Sequence, residues 1–372
     1  MSKRLFTIVL TLVLILPNAL PVWAQQTASA VVAGKLLEVK VPAPALKGNM
    51  LGEPAELNAA IYLPPSYETD ASKRYPTVYL LHGFTGNYKA WINGGYQKMN
   101  LQTTMDSLIK DGKIREMIVV APNAWSHYGG AFYSNSVVTG NWEDYIYRDL
   151  VQYVDANYRT INSGESRGIA GHSMGGYGAL VLGMRHPEVF SAVYAMSPCC
   201  TAIEGDMSEA NPVWLKVLRL KTKDELKLRP QSFDDFFVIA FVALSTSLSP
   251  NPNAAPIQAH FPFKETSPNG AAASLEKHEP TYTRWRSQMP AYMVEEKEPN
   301  LRKLRGLFID YGEKEEFSHI VIGANQFSKA LSDRRIPHTL EVYGKGDHGS
   351  RIRERIETRV FQFFSERLLF PQ

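Results

Sequence analysis

Cysteine is nearly absent from this 372-residue chain, and its two occurrences, Cys199 and Cys200, are neighbours. A disulfide between adjacent residues is strained and no second pair exists, so the chain is not expected to be stapled by disulfides. At this length a buried core makes staples unnecessary. No cysteine–histidine cluster carries zinc spacing, so neither a metal nor an organic cofactor is expected. A surplus of one charge is also missing. Lys and Arg total 40 against 37 Asp and Glu, a net +3 without a long basic run, which excludes the electrostatic footprint of nucleic-acid binding. Beyond the first two dozen residues, long apolar runs are missing too. FFVIAFVAL (Phe236–Leu244) is too short to span a bilayer and reads as a buried helix.

The start of the chain is different. Lys3 and Arg4 precede the apolar run Leu5–Leu16, and Val22-Trp23-Ala24 follows with small residues at the −3 and −1 positions. This is the pattern of a secretory signal peptide over residues 1–24, with cleavage after Ala24, or alternatively after Ala30. The mature chain, 25–372, is then expected in the periplasm or outside the cell, with no stable membrane span.

Six apolar, β-rich runs follow an extended, proline-punctuated opening. They are Thr77–Gly83, Met117–Ala124, Arg167–Ser173, Phe190–Pro198, Leu304–Gly312 and His338–Gly344. Runs of this kind suit strands buried on both faces of a parallel sheet. Helical patterns lie between them at Trp142–Tyr158, Tyr177–Pro187, Ser318–Ile336 and Arg351–Leu368. The alternation predicts one α/β domain, a mostly parallel sheet flanked by helices. The rhythm breaks over residues 201–300, which read as an insertion with a few helices, a candidate lid.

The chemistry centres on GIAGHSMGGYGAL, Gly168–Leu180. Ser173 sits in a G-x-S-x-G turn between a strand and a helix, the setting of a nucleophile elbow. Glycines at 171 and 175 leave room for the sharp turn that lifts the serine Oγ out of the sheet. The backbone N–H of Met174, at the start of the helix, is one candidate oxyanion donor. The other is the N–H of Phe84, in HGFTG after an early strand. A base is needed late in the chain. His348, in GDHGS after the last strand, meets that order. His172 should point away from Ser173, and His82 should play a structural role beneath the oxyanion loop. For the acid that orients the imidazole, Asp310, Glu313, Glu315 and Glu316 follow or end the strand GLFIDYG, and spacing alone does not choose among them. Tyr133, Asn135, Ser136 and Trp142 follow the strand MIVVAPNA and are candidate substrate contacts at the site's mouth. Trp285 reads as packing, with acyl-pocket lining as the alternative.

The stretches YLPPSY, YPTVYLLHGFTG, GIAGHSMGGYGAL, IDYGEKEEF and GDHGS together resemble the esterase D-like family of α/β-hydrolases, from about Leu57 to the end apart from the insertion. That family includes S-formylglutathione hydrolases, feruloyl esterases and mycolyltransferases. The resemblance implies an α/β-hydrolase fold and the acid in a G-x-x-[D/E] loop, which selects Glu315. Aspartate is commoner there, so Glu316 and Asp310 stay open. It also implies Phe84 and Met174 as oxyanion donors. The expected activity is hydrolysis of small-molecule or carbohydrate-linked esters through an acyl-serine. Transfer of the acyl group to an alcohol or sugar is one alternative, and a catalytically silent exported binding protein is another. Oligomeric state is not readable.

Overall fold

A computed structural model describes residues 33–266 and 273–371. The signal-peptide reading of residues 1–24 lies outside the described residues. One sheet of eight strands organises them: β1 (Lys35–Pro42), β2 (Glu56–Leu63), β3 (Thr77–Leu81), β4 (Ile118–Pro122), β5 (Arg167–His172), β6 (Ala192–Met196), β7 (Gly306–Gly312) and β8 (Thr339–Tyr343). Their spatial order is β1-β2-β4-β3-β5-β6-β7-β8. β1 and β2 pair antiparallel, as do β2 and β4, and every later pairing is parallel. This is the mostly parallel α/β sheet expected from the alternating pattern. Every residue of β3, β4, β5 and β6 is buried, which is why those runs show no polar alternation. Alternate side chains feed two cores. Tyr79 and Leu81 pack into one, Val78 and Leu80 into the other.

The helices are α1 (Leu101–Lys110), α2 (142–157), α3 (Met174–Arg185), α4 (Phe233–Leu248), α5 (Pro290–Leu301), α6 (Ser318–Asp333) and α7 (352–367), with shorter turns between. The middle turns of α2, Tyr145–Leu150, are π-helical. α1 lies outside the sequence-based expectation. Asn100 caps it by accepting the Thr103 N–H at 3.1 Å, and Leu101, Met105 and Leu108 form its buried stripe. Three apolar residues among polar ones are a weak signal over ten positions.

The described residues of the 201–300 segment fold onto the body of the domain. α4 is buried along most of its length, as FFVIAFVAL suggested, though Phe233 at its start is exposed. Trp285 is buried and its Nε1–H donates to Ser249 Oγ at 2.8 Å, so it packs and does not line the site. Among the described residues no helix is long and apolar enough to cross a membrane.

A buried ion pair ties the C-terminal helix to the sheet. Arg355 on α7 donates through Nε to Asp310 Oδ2 at 2.8 Å, and through Nη1 to Glu341 Oε1 on β8 at 2.7 Å. Tyr194 on β6 donates its hydroxyl to the same Asp310 oxygen at 2.6 Å. Burial pushes the Asp310 carboxyl up to about 6 against the pull of Arg355 and Tyr194. Removing the guanidinium would strand a carboxylate in the interior. Arg355→Met is therefore expected to cost about 3–5 kcal/mol of stability, read as a lowered urea midpoint.

Candidate active site

The elbow begins where β5 ends. Ser173 takes φ 57° and ψ −116°, a conformation that L side chains rarely adopt, and α3 starts at the next residue. The turn closes only because Gly171 and Gly175 carry no side chain. A methyl group on Gly171 would overlap the Gly175 backbone, and one on Gly175 would overlap the Leu81 carbonyl.

Ser173 Oγ–H points at His348 Nε2, 3.0 Å away. His348 Nδ1–H points at Glu315 Oε2, also 3.0 Å. The Glu315 side chain is fully buried, whereas that of His348 is partly open. The two loops that supply them interlock. Lys314 N–H donates to the Gly346 carbonyl at 2.7 Å, and Gly312 lies so close to Gly346 that a Cβ there would overlap it. The backbone of His348 is held at both ends. Its N–H donates to Glu316 Oε2 at 2.9 Å, and its carbonyl accepts from His172 Nε2–H at 2.9 Å. Glu315 thus meets the imidazole and Glu316 the peptide. Asp310 is engaged with Arg355 and Tyr194, away from both. Glu313 accepts from the Lys345 N–H at 3.1 Å.

The loop after β3 carries Phe84 beside the serine. The rings and thioether of Phe84 and Met174 close around Gly130, where any side chain would meet both. Among the described residues, the N–H groups of Phe84 and Met174 make no backbone hydrogen bond. His82 supports this loop from below. Its Nδ1–H donates to the Gly83 carbonyl at 2.9 Å and its Nε2 accepts from Ala124 N–H at 2.8 Å, which sets the tautomer.

The four residues expected at the mouth do not line the cavity. Tyr133 is buried beneath the loop, its hydroxyl donating to the His82 carbonyl at 2.9 Å. Ser136 donates to the Thr246 carbonyl on α4 at 2.6 Å, and Trp142 Nε1–H to the Thr139 carbonyl at 2.7 Å. Asn135 pairs with Asp144 at 2.5 Å on the surface. In the segment after β4, Phe132 reaches the cavity while Tyr133 and Ser136 turn down into the fold, Ser136 onto α4. The cavity wall comes from the insertion, from Phe84 and from residues the sequence reading left out.

That cavity holds about 400 Å³ of empty space, its solvent-filled mouth included, and reaches Ser173 and His348. Six phenylalanines line it (Phe84, Phe132, Phe236, Phe237, Phe241 and Phe317), three of them from α4. Cys199, Cys200 and His319 also reach it. His319 Nδ1 is hydrogen-bonded to Asp206. No spacing in the sequence links 199, 206 and 319. The one available signal was that Cys199 follows the carboxyl end of a buried parallel strand, where sites in such sheets form.

The matched family and the known structures agree with this frame. The model of the family described as "Putative esterase" matches residues 52–353. The chain belongs to that family. It is an ester hydrolase with an α/β-hydrolase-like fold. Among solved structures, a ferulic acid esterase superposes with a TM-score of 0.60 at 20% identity, covering 91% of this chain and all of that one. An S-formylglutathione hydrolase from Agrobacterium tumefaciens gives 0.59 at 18% identity, over 91% and 97% of the two chains. A fluorophosphonate-binding serine hydrolase from Staphylococcus aureus gives 0.56 at 17%, over 90% and 99%. At these identities the likeness is one of fold.

Two buried histidines of this esterase carry a pH signature. Burial holds His82 down to about 4, and burial with the nearby His348 holds His172 down to about 3. Both are neutral in the folded protein and charge on unfolding, where the ordinary value is 6.5. Their contribution is complete above pH 6.5 and declines as the pH falls towards 4 and then 3. Near pH 5 unfolding takes up two extra protons from this pair, a slope of about 2.7 kcal/mol per pH unit. Urea midpoints measured across that window are expected to fall with acidification, and less steeply in His82→Gln.

Proposed function

We propose that this protein is an exported serine esterase that cleaves carboxylic esters through an acyl-serine. The observation that carries the reading is the continuous hydrogen-bonded chain from Ser173 through His348 to Glu315, ending in an apolar cavity. Ser173 Oγ attacks the ester carbonyl while His348 Nε2 takes its proton. Glu315 keeps Nδ1 protonated and stabilises the imidazolium. The N–H groups of Phe84 and Met174 receive the developing oxyanion, each donor contributing about 3–4 kcal/mol to the barrier reduction. His348 returns the proton to the leaving alkoxide. It then removes a proton from water, which attacks the acyl-serine and frees the acid.

The phenylalanine lining supports an apolar acyl group of aromatic or short aliphatic character. It offers few partners for a charged or sugar-like acyl, so a carbohydrate would sit on the leaving-group side. The Lys3-Arg4 start and the apolar run before Ala24 support export to the periplasm or beyond.

The test is kinetic and covalent together. Ser173→Ala is expected to abolish hydrolysis of aryl esters and labelling by a fluorophosphonate. Glu315→Gln is expected to lower kcat by about 10⁴-fold with little change in KM. Glu316→Gln, which touches only the His348 peptide, is expected to lose far less. Full activity in Ser173→Ala, or a larger loss in Glu316→Gln than in Glu315→Gln, would overturn the assignment.

A further inference from the structure

We propose that Cys199 is a thiolation site on the wall of the ester cavity, that it takes small apolar disulfides, and that the resulting adduct closes the cavity to esters. Its surroundings repeat the logic of the first hydrogen-bonded chain with a different nucleophile. Cys199 follows β6, and its N–H donates to the Ser173 carbonyl at 3.2 Å, so the thiol is tied to the elbow. The Cys200 sulfur stands directly against the Cys199 Sγ. His319 lines the same cavity wall, near enough to bias the charge on the sulfur. The His319 Nδ1 is held by Asp206, whose carboxylate also accepts the Ser318 and His319 N–H groups at 3.0 Å each. Those three bonds fix the carboxylate and leave Nε2 as the ring nitrogen not taken by Asp206. A carboxylate, an imidazole and a nucleophile thus gather a second time, and both nucleophiles line one cavity.

The charges around Cys199 favour its thiolate. The groups facing it are His319 with Asp206 behind, Cys200, His348 and the Tyr177 hydroxyl. Burial pushes the Cys199 thiol up, but the close approach of Cys200 and His319 and the charge on His319 outweigh it and hold it below its ordinary value. Burial likewise opposes charge on His319, and Asp206 and Cys199 raise it to about 9 all the same. Burial and Cys199 keep Cys200 well above the usual thiol range, so it stays S–H and is a poor attacker of any adduct. Apart from His348, the hydrolysis proposed above uses none of these groups.

The step balances with the disulfide as oxidant. Cys199 Sγ⁻ attacks one sulfur of R–S–S–R and the S–S bond breaks. Cys199–S–S–R forms, and the second half leaves as RS⁻. Cys199 is oxidised and one half of the reagent is reduced. The R group then occupies the space beside Ser173.

The probe is 2,2′-dithiodipyridine, a small aromatic disulfide, applied to the native protein. One equivalent of pyridinethione is expected, with the adduct mapped to the Cys199 peptide. Aryl-ester hydrolysis should fall in proportion and return with dithiothreitol. The thiolation rate should be half-maximal below about 8.5, the ordinary thiol value. His319→Gln should slow thiolation below neutral pH by about fivefold, a loss of thiolate roughly tenfold or more offset in part by a more basic sulfur. Asp206→Asn serves the same purpose if His319→Gln fails to fold. Four results would overturn the proposal: no release until the protein is unfolded in urea, an adduct on Cys200, two equivalents released with a Cys199–Cys200 disulfide, or a full Cys199 adduct with hydrolysis undiminished. Adduct and pH midpoint are read by absorbance and mass, so they stand apart from the reading of Ser173 on which the loss of hydrolysis rests.

Discussion

The site depends on how closely three backbone segments can approach one another. β5 ends at Gly171 and His172, the chain reverses at Ser173, and Gly175 then passes against both Gly171 and the Leu81 carbonyl of the neighbouring strand. The strained φ of Ser173 is the product of that crowding. Relaxing it would drop the hydroxyl back into the sheet and swing the start of α3 away from the cavity. The strain persists because the strands on either side are fully buried and cannot shift to relieve it.

Around this point the loops at the carboxyl ends of the strands restrain one another. His348 is held by its peptide as well as its ring, with Glu316 at the N–H and His172 at the carbonyl. His172 adjoins the serine in sequence, so the same short stretch positions both the hydroxyl and the loop that carries its partner. The second gly–gly approach, Gly312 to Gly346, brings the carboxylate loop beneath the histidine loop. The ring of the imidazole is left with little freedom other than proton exchange.

The parts of this arrangement that could be read in the sequence are those with a strong local cause. Strands buried on both faces show as unbroken apolar runs, and the elbow shows as glycines around a serine. Chain order singled out His348. The choice among Asp310, Glu315 and Glu316 needed a family resemblance, because all three lie at the end of one strand and only side-chain direction separates them. At the mouth the same stretch contributes Phe132 to the cavity, not the residues expected there. AFYSNS and Trp142 follow the right strand, yet Tyr133 and Ser136 turn inward to hold His82 and α4. The cavity wall comes from α4, a helix apolar almost all round, whose sequence carries no sign of which face meets the site. The Asp206–His319–Cys199 cluster joins the stretch after β6 to the start of α6, more than a hundred residues on, and has no local signature.

The anchoring of α7 by Arg355 bears on how the site is assembled from the chain. Ser173 lies near the middle of the chain, Glu315 and His348 come late, and the guanidinium that closes the sheet beneath them lies on the last helix. On the proposed mechanism the nucleophile and its base thus come from segments far apart in the chain, and the ion pair on α7 closes the sheet beneath the acid and the base.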